Sequence, residues 1–117
     1  MSELDDELAR NEDLWRMWQA DGVTEDTILA VDFFFYATSK SAAQDLAEAL
    51  RKAGRKVEVR TTRTLVFFRG WEITAVEEGM WSLAKLQDRS RTYCRVAELL
   101  RVTYDGCGAM MPDNDAA

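Results

Sequence analysis

Histidine is absent from the 117 residues. Its absence removes the commonest general base near neutral pH and the commonest zinc ligand. Every catalytic triad built on an imidazole is excluded with it. Proline occurs once, at Pro112, so proline breaks no internal element. The two cysteines, Cys94 and Cys107, offer neither a disulfide framework nor a metal-binding spacing. A reduced, cytoplasmic protein is therefore expected. No apolar run approaches the roughly 18 residues of a membrane helix. The densest run, Phe33-Phe34-Phe35-Tyr36-Ala37, has the length of a strand. The acidic N-terminus has no basic stretch leading into an apolar one, so no secretory signal is expected. Paired carboxylates remain available for chemistry, but no motif assembles them, and the expectation is a protein without cofactor or metal.

The charge that is present is unevenly placed. Of the formal net charge of −6, residues 1–26 hold nine acids against Arg10 and Arg16, which leaves residues 27–117 near neutrality. Two basic groups stand out in that second part, Arg51, Lys52, Arg55, Lys56, Arg60 and Arg63, and then Arg89, Arg91, Arg95 and Arg101. Solvated helix faces and a charged strand edge account for most such clusters. Overall acidity argues against nonspecific nucleic-acid binding, which needs positive charge at the phosphates.

Periodicity predicts a helix over 3–20, with Leu4, Leu8, Trp15 and Trp18 near helical spacing and Asp21-Gly22 as its stop. Ile28 to Ala37 reads as a strand. Leu29, Val31, Phe33 and Phe35 fall on one face, and Ala30, Asp32, Phe34 and Tyr36 on the other. A second helix opens at Thr38-Ser39-Lys40-Ser41, with Ser41 and Gln44 at capping-box spacing, and closes at Gly54. Its apolar stripe is Ala43, Leu46, Ala47, Leu50 and Ala53. Lys56 to Phe68 reads as a strand with a bulge or turn at Thr61-Thr62-Arg63. Arg69-Gly70 is expected to be a hairpin end, and Trp71 to Val76 the returning strand. Glu77-Glu78-Gly79 reads as a break. A last helix starts between Leu83 and Gln87 and runs to about Arg101, burying Leu86, Tyr93, Val96, Ala97 and Leu100. A terminal strand follows at 102–105. The order, a helix and then β-α-β-β-α-β, predicts an α+β, ferredoxin-like sandwich with an antiparallel sheet. The expected organisation is an acidic helix at 1–24, the ferredoxin-like domain at 25–111 and a frayed tail at 112–117.

One motif is more specific than the element order. Val102-Thr103-Tyr104-Asp105-Gly106-Cys107-Gly108 reads as a strand running into a turn fixed by two glycines. Together with Ala53-Gly54 and Lys56-Val57-Glu58-Val59, it resembles the regulator of ribonuclease E activity B family over residues 25–110. Members of that family end their last strand with Tyr-Asp-Gly-Trp-Gly. Cys107 stands where the tryptophan is usual, and only Asp113 and Asp115 follow where some members carry a long acidic tail. The resemblance implies a noncatalytic protein that binds a ribonuclease E-type endonuclease and lowers its activity.

The partner-binding candidates are Tyr104, Asp105, Gly106 and Cys107 in the motif and Phe34 and Tyr36 on the outer sheet face. That face needs cover, because large exposed apolar patches are uncommon. The N-terminal helix, through Trp15 and Trp18, is the expected cover; a second copy or a protein partner is the alternative. Asp105 is expected to cap its turn through nearby backbone amides. RNA stacking on the sheet is disfavoured, since Asp32 lies between the aromatics and repels phosphate. A partner-binding or dimeric regulatory domain of immunity type, unrelated to RNA decay, is the other functional reading. A small carboxylate enzyme using Tyr104 is the third.

Overall fold

The computed structural model describes residues 3–65 and 68–111, with side chains outside 63–69. Val66, Phe67 and the expected tail at 112–117 lie outside the described residues. The element order is α1 (Glu3–Ala20), β1 (Ile28–Ala37), α2 (Lys40–Lys52), β2 (Lys56–Leu65), β3 (Phe68–Met80), α3 (Leu83–Leu100) and β4 (Thr103–Ala109).

Each helix ends for a local reason. The Val23 amide bonds the Trp18 carbonyl at 3.0 Å, while Gly22 takes φ +100°, so α1 closes in a left-handed cap with Val23 buried beneath it. The Ser39 hydroxyl accepts from the Ala42 amide at 3.3 Å, which makes Ser39 the N-cap of α2. The expected cap, Ser41, instead shares a hydroxyl contact with Ser39. Ser82 caps α3 by accepting from the Lys85 amide at 3.1 Å.

The four strands form one antiparallel sheet in the order β2-β3-β1-β4. Register sorts the sheet into two faces. On β1, Val31, Phe33, Phe35 and Ala37 stand opposite Glu77, Ala75, Ile73 and Trp71 of β3, and β2 adds Val57 and Val59 to the same face. α2 and α3 pack on this face, and α1 packs on α3 and β4. Phe33, Phe35, Ile73, Leu46, Leu86 and Trp81 are completely buried there. Tyr93 meets Phe33 and Phe35 edge-on at 4.9 and 5.4 Å between centroids. Pairs of this geometry add to the stability that area burial supplies. Trp81, which strand and helix periodicity alone does not single out, sits in the link between β3 and α3. It donates its indole N–H to the Leu29 carbonyl at 3.2 Å.

Several sequence expectations are corrected. Arg69-Gly70 is not a hairpin end. Both residues lie inside β3, opposite Arg63 and Thr62. Gly70 is there for space, because the Tyr36 ring lies across it where any Cβ would stand. Thr61 and Thr62 are paired in register, and the irregularity comes later, between Arg63 and Leu65. Glu77-Glu78-Gly79 does not break the chain but continues β3 against Val31, Ala30 and Leu29. The terminal strand extends through the two glycines to Ala109. Most consequentially, α1 does not cover the outer sheet face. Its buried side is Glu7, Asn11, Trp15 and Trp18, turned to the helical layer and β4.

Candidate functional site

The Tyr104–Cys107 motif is the place where the two faces of the sheet meet. Opposite β1 the register slips between Phe34 and Phe35, so Asp105 is an extra residue in β4. Gly106 completes this bulge at φ +108°, a conformation that a residue with a Cβ adopts only under strain. A Cβ at Gly106 would also stand 3.3 Å from the Glu7 carboxylate, which is almost fully buried and held by the Arg10 guanidinium at 2.6 Å.

The bulge turns neighbouring side chains to opposite sides. Tyr104 and Cys107 face the helical layer. The Tyr104 hydroxyl lies 3.3 Å from Ser90 Oγ, and its ring packs against Phe35 at 5.2 Å. The Cys107 thiol donates to Asn11 Oδ1 at 3.4 Å. Fully buried Asn11 donates in turn to Gln87 at 2.9 Å and Ser90 at 2.7 Å, and Gln87 donates to the Leu8 carbonyl at 2.9 Å. Such a satisfied network fixes α1 to α3 and β4 in one arrangement. Burial, and after it the Glu7 charge, pushes the Cys107 thiol up to about 12, so it stays protonated and poorly nucleophilic. Burial also holds the Tyr104 phenol well above its ordinary range. Cys94 moves the same way, mainly through burial.

Phe34 and Tyr36 face the other side, on the sheet surface that none of the described helices covers. Three cross-strand rows organise it. Lys56, Val76, Asp32 and Gly108 form one; Glu58, Thr74, Phe34 and Gly106 the next; Arg60, Glu72, Tyr36 and Thr103 the third. Phe34 stands in the middle and is 39% exposed. Tyr36 is half-buried over Gly70. A hollow of about 330 Å³ is lined by Phe34, Glu58, Arg60, Glu72, Thr74 and Asp105 among others. Asp32 titrates above its usual range, chiefly through burial and then through Glu58. Asp105 does so through burial and then through Glu72 and Glu7.

The six candidates are thus divided. Phe34, Tyr36 and Asp105 reach the open side, while Tyr104 and Cys107 turn inward and Gly106 is buried under Glu7. The expected cap by Asp105 is not formed; its carboxylate makes no hydrogen bond among the described residues. Sequence reading overlooked Glu58, Arg60, Glu72 and Thr74. Alternation puts Glu72 and Thr74 on one face of their strand, but only the pairing with β1 and β2 sets them beside Phe34, Glu58 and Arg60. A larger groove of about 670 Å³ runs between α1, the end of α3 and the start of β4, with Glu3, Asp6, Glu7, Glu98 and Asp105 along it. Among the described residues, no group of three or more acids or cysteines is placed to hold a metal ion. No helix among them is long and apolar enough to cross a membrane.

The family model described as regulator of ribonuclease activity B matches residues 8–109. The chain belongs to that family. The match begins inside α1 and ends with β4, so the buried polar network and the bulge both lie within it. No match is found among curated proteins. Membership in the regulator of ribonuclease activity B family makes the chain a regulator of ribonuclease activity, with a ribonuclease as the implied protein partner.

Proposed function

We propose that this protein is a noncatalytic, cytoplasmic inhibitor that binds a ribonuclease E-type endonuclease and masks part of its surface. The observation that carries this reading is the bare sheet face, with half-exposed Phe34 at its centre and carboxylates around it. Aromatic groups at the middle of a polar rim are the composition of an interface. The family supplies the ribonuclease; the noncatalytic part of the reading is supported by the two thiols, which burial holds protonated.

In this reading Asp105, Phe34 and Tyr36 touch the partner. Tyr104, Gly106 and Cys107 act from behind, by setting the bulge that presents Asp105. The fold is read as ferredoxin-like. Supporting this, β3 lies between β1 and β2, β1 lies between β3 and β4, and each neighbouring pair is antiparallel, which is the split βαβ arrangement used twice. Residues 25–111 are read as its domain, with the acidic helix α1 docked on it.

The test is cleavage of a labelled RNA by a purified ribonuclease E-type nuclease, with and without the protein, alongside a binding titration. Saturable binding with a matching fall in cleavage rate is expected, weakened by Phe34→Ala. Neither binding nor a change in rate would overturn the proposal.

A further inference from the structure

The open face has more charge than its own residues balance. Asp32, Glu58, Glu72 and Asp105 surround Phe34, and strand spacing puts them within about 5–10 Å of it. Among the described residues, the bases on this face are Lys56 and Arg60, both on the edge strand β2. Arg60 stands directly opposite Glu72, yet neither it nor Lys56 makes an ion pair among the described residues. Four carboxylates against two bases, with no ion pair formed between them among the described residues, therefore frame one exposed aromatic ring. Phosphate and carboxylate ligands are repelled by such a surface, and an apolar helix would bury the acids unpaired.

From this we infer that the open face docks an arginine-bearing segment of a protein partner, with a guanidinium stacked on Phe34 and bonded to Glu72 and Asp105. The inference rests on the binding reading above and names the chemistry of what is bound. Arginine fits better than lysine for a geometric reason. Its planar fork stacks on an aromatic face while its edge donors reach carboxylates on both sides, whereas an ammonium is a strongly hydrated point charge. The hollow of about 330 Å³ between Phe34, Glu72 and Asp105 has room for such a head group and its stem. Thr74 and Tyr36, on the adjoining positions, offer hydroxyls to the same segment.

The experiment uses the full chain and a fluorescent arginine-rich peptide, with a lysine-for-arginine peptide of equal length and a single-stranded RNA oligonucleotide as comparisons. The expected result is saturable binding of the arginine peptide, several-fold tighter than the lysine peptide and weaker at high salt. Phe34→Ala should weaken it about five-fold, the size of one cation–π contact. Glu72→Gln and Asp105→Asn should each weaken it by a similar factor, and each keeps the side-chain shape if the fold is checked by circular dichroism. No binding, equal binding of both peptides, or binding insensitive to all three variants overturns the inference. Preference for RNA, or a Phe34-dependent homodimer that the peptide fails to compete away, overturns it as well. The nuclease titration separates the two proposals. Inhibition without peptide binding sinks this one alone; peptide binding without inhibition sinks the ribonuclease reading alone.

Discussion

Carboxylates on the two faces of the sheet are treated in opposite ways. On the helical side, Glu77 of β3 is met by three cations. Arg89 bonds both its oxygens at 2.7 and 3.0 Å, Arg55 approaches to 3.4 Å and Lys85 to 3.6 Å. Burial alone would raise Glu77, but the hydrogen bonds and charge of Arg89, with Arg55 and Lys85, outweigh it and leave it lowered. On the bare side, Asp32 and Asp105 are raised and have no ion pair among the described residues. The difference follows from solvation. A charge beneath helices must find its counter-charge within the chain, because water cannot supply it. A charge on an open face is solvated until a partner arrives, and can be left uncompensated for that partner to neutralise.

Adjacent residues of β1 give the largest test of this contrast. Phe33→Ala should cost about 4 kcal/mol in urea unfolding, since the ring is fully buried against Trp81 and Tyr93. Phe34→Ala, one residue on, should cost under about 1 kcal/mol and act on binding instead. Comparable losses would mean that the outer face is packed by something in the isolated chain. Next in size, Glu77→Gln should cost about 3 kcal/mol at neutral pH, because it takes the carboxylate from half-buried Arg55 and Lys85 and leaves Arg89 only the more distant Asp88. A group whose folded-state pKa is lowered stabilises above its unfolded value and loses that contribution as pH falls through the folded one. The gap between wild type and Glu77→Gln should therefore close in acid. Gly106→Ala ranks third, at about 2 kcal/mol, from the strained φ and the close Glu7 carboxylate. An unchanged unfolding midpoint would show that the bulge relaxes freely.

How much of this could be read in advance depends on the range of the interaction. β1 was legible to the residue, because alternation and β-branched or aromatic content act locally, and so was the split between Phe33 and Phe34. Gly22 and Gly54 marked their helix ends for the same reason. The β2–β3 turn was misjudged because Arg69-Gly70 has the composition of a turn. What places Gly70 in a strand is Tyr36 lying across it from a different strand. Glu77-Glu78-Gly79 read as a break because nothing nearby in sequence announces Arg55 and Arg89. Asn11 and Glu7, polar residues on the buried side of α1, also depend on distant partners, Ser90, Gln87 and the Gly106 bulge. The candidate site suffered most. Its motif was found, but the bulge that sends Tyr104 inward and leaves Asp105 exposed is a property of pairing with β1.

The smallest effect is also the most discriminating, because its sign is opposite to that of Glu77. Asp105 is raised by burial first and by Glu72 and Glu7 after it. An acid raised in the folded state costs stability once ionised, so its penalty is absent below the unfolded pKa and sets in as pH rises through the carboxylate range. Asp105→Asn should therefore raise the unfolding free energy slightly at neutral pH, by no more than about 0.5 kcal/mol given its exposure and the screening of surface charge. The two curves should merge in acid, as they do for Glu77→Gln, but from the other side. A less stable Asp105→Asn would mean that the carboxylate holds the bulge together, and the charge on the open face would then be structural. A more stable variant that also loses the arginine peptide would show stability given up at a surface whose counter-charge comes from another molecule.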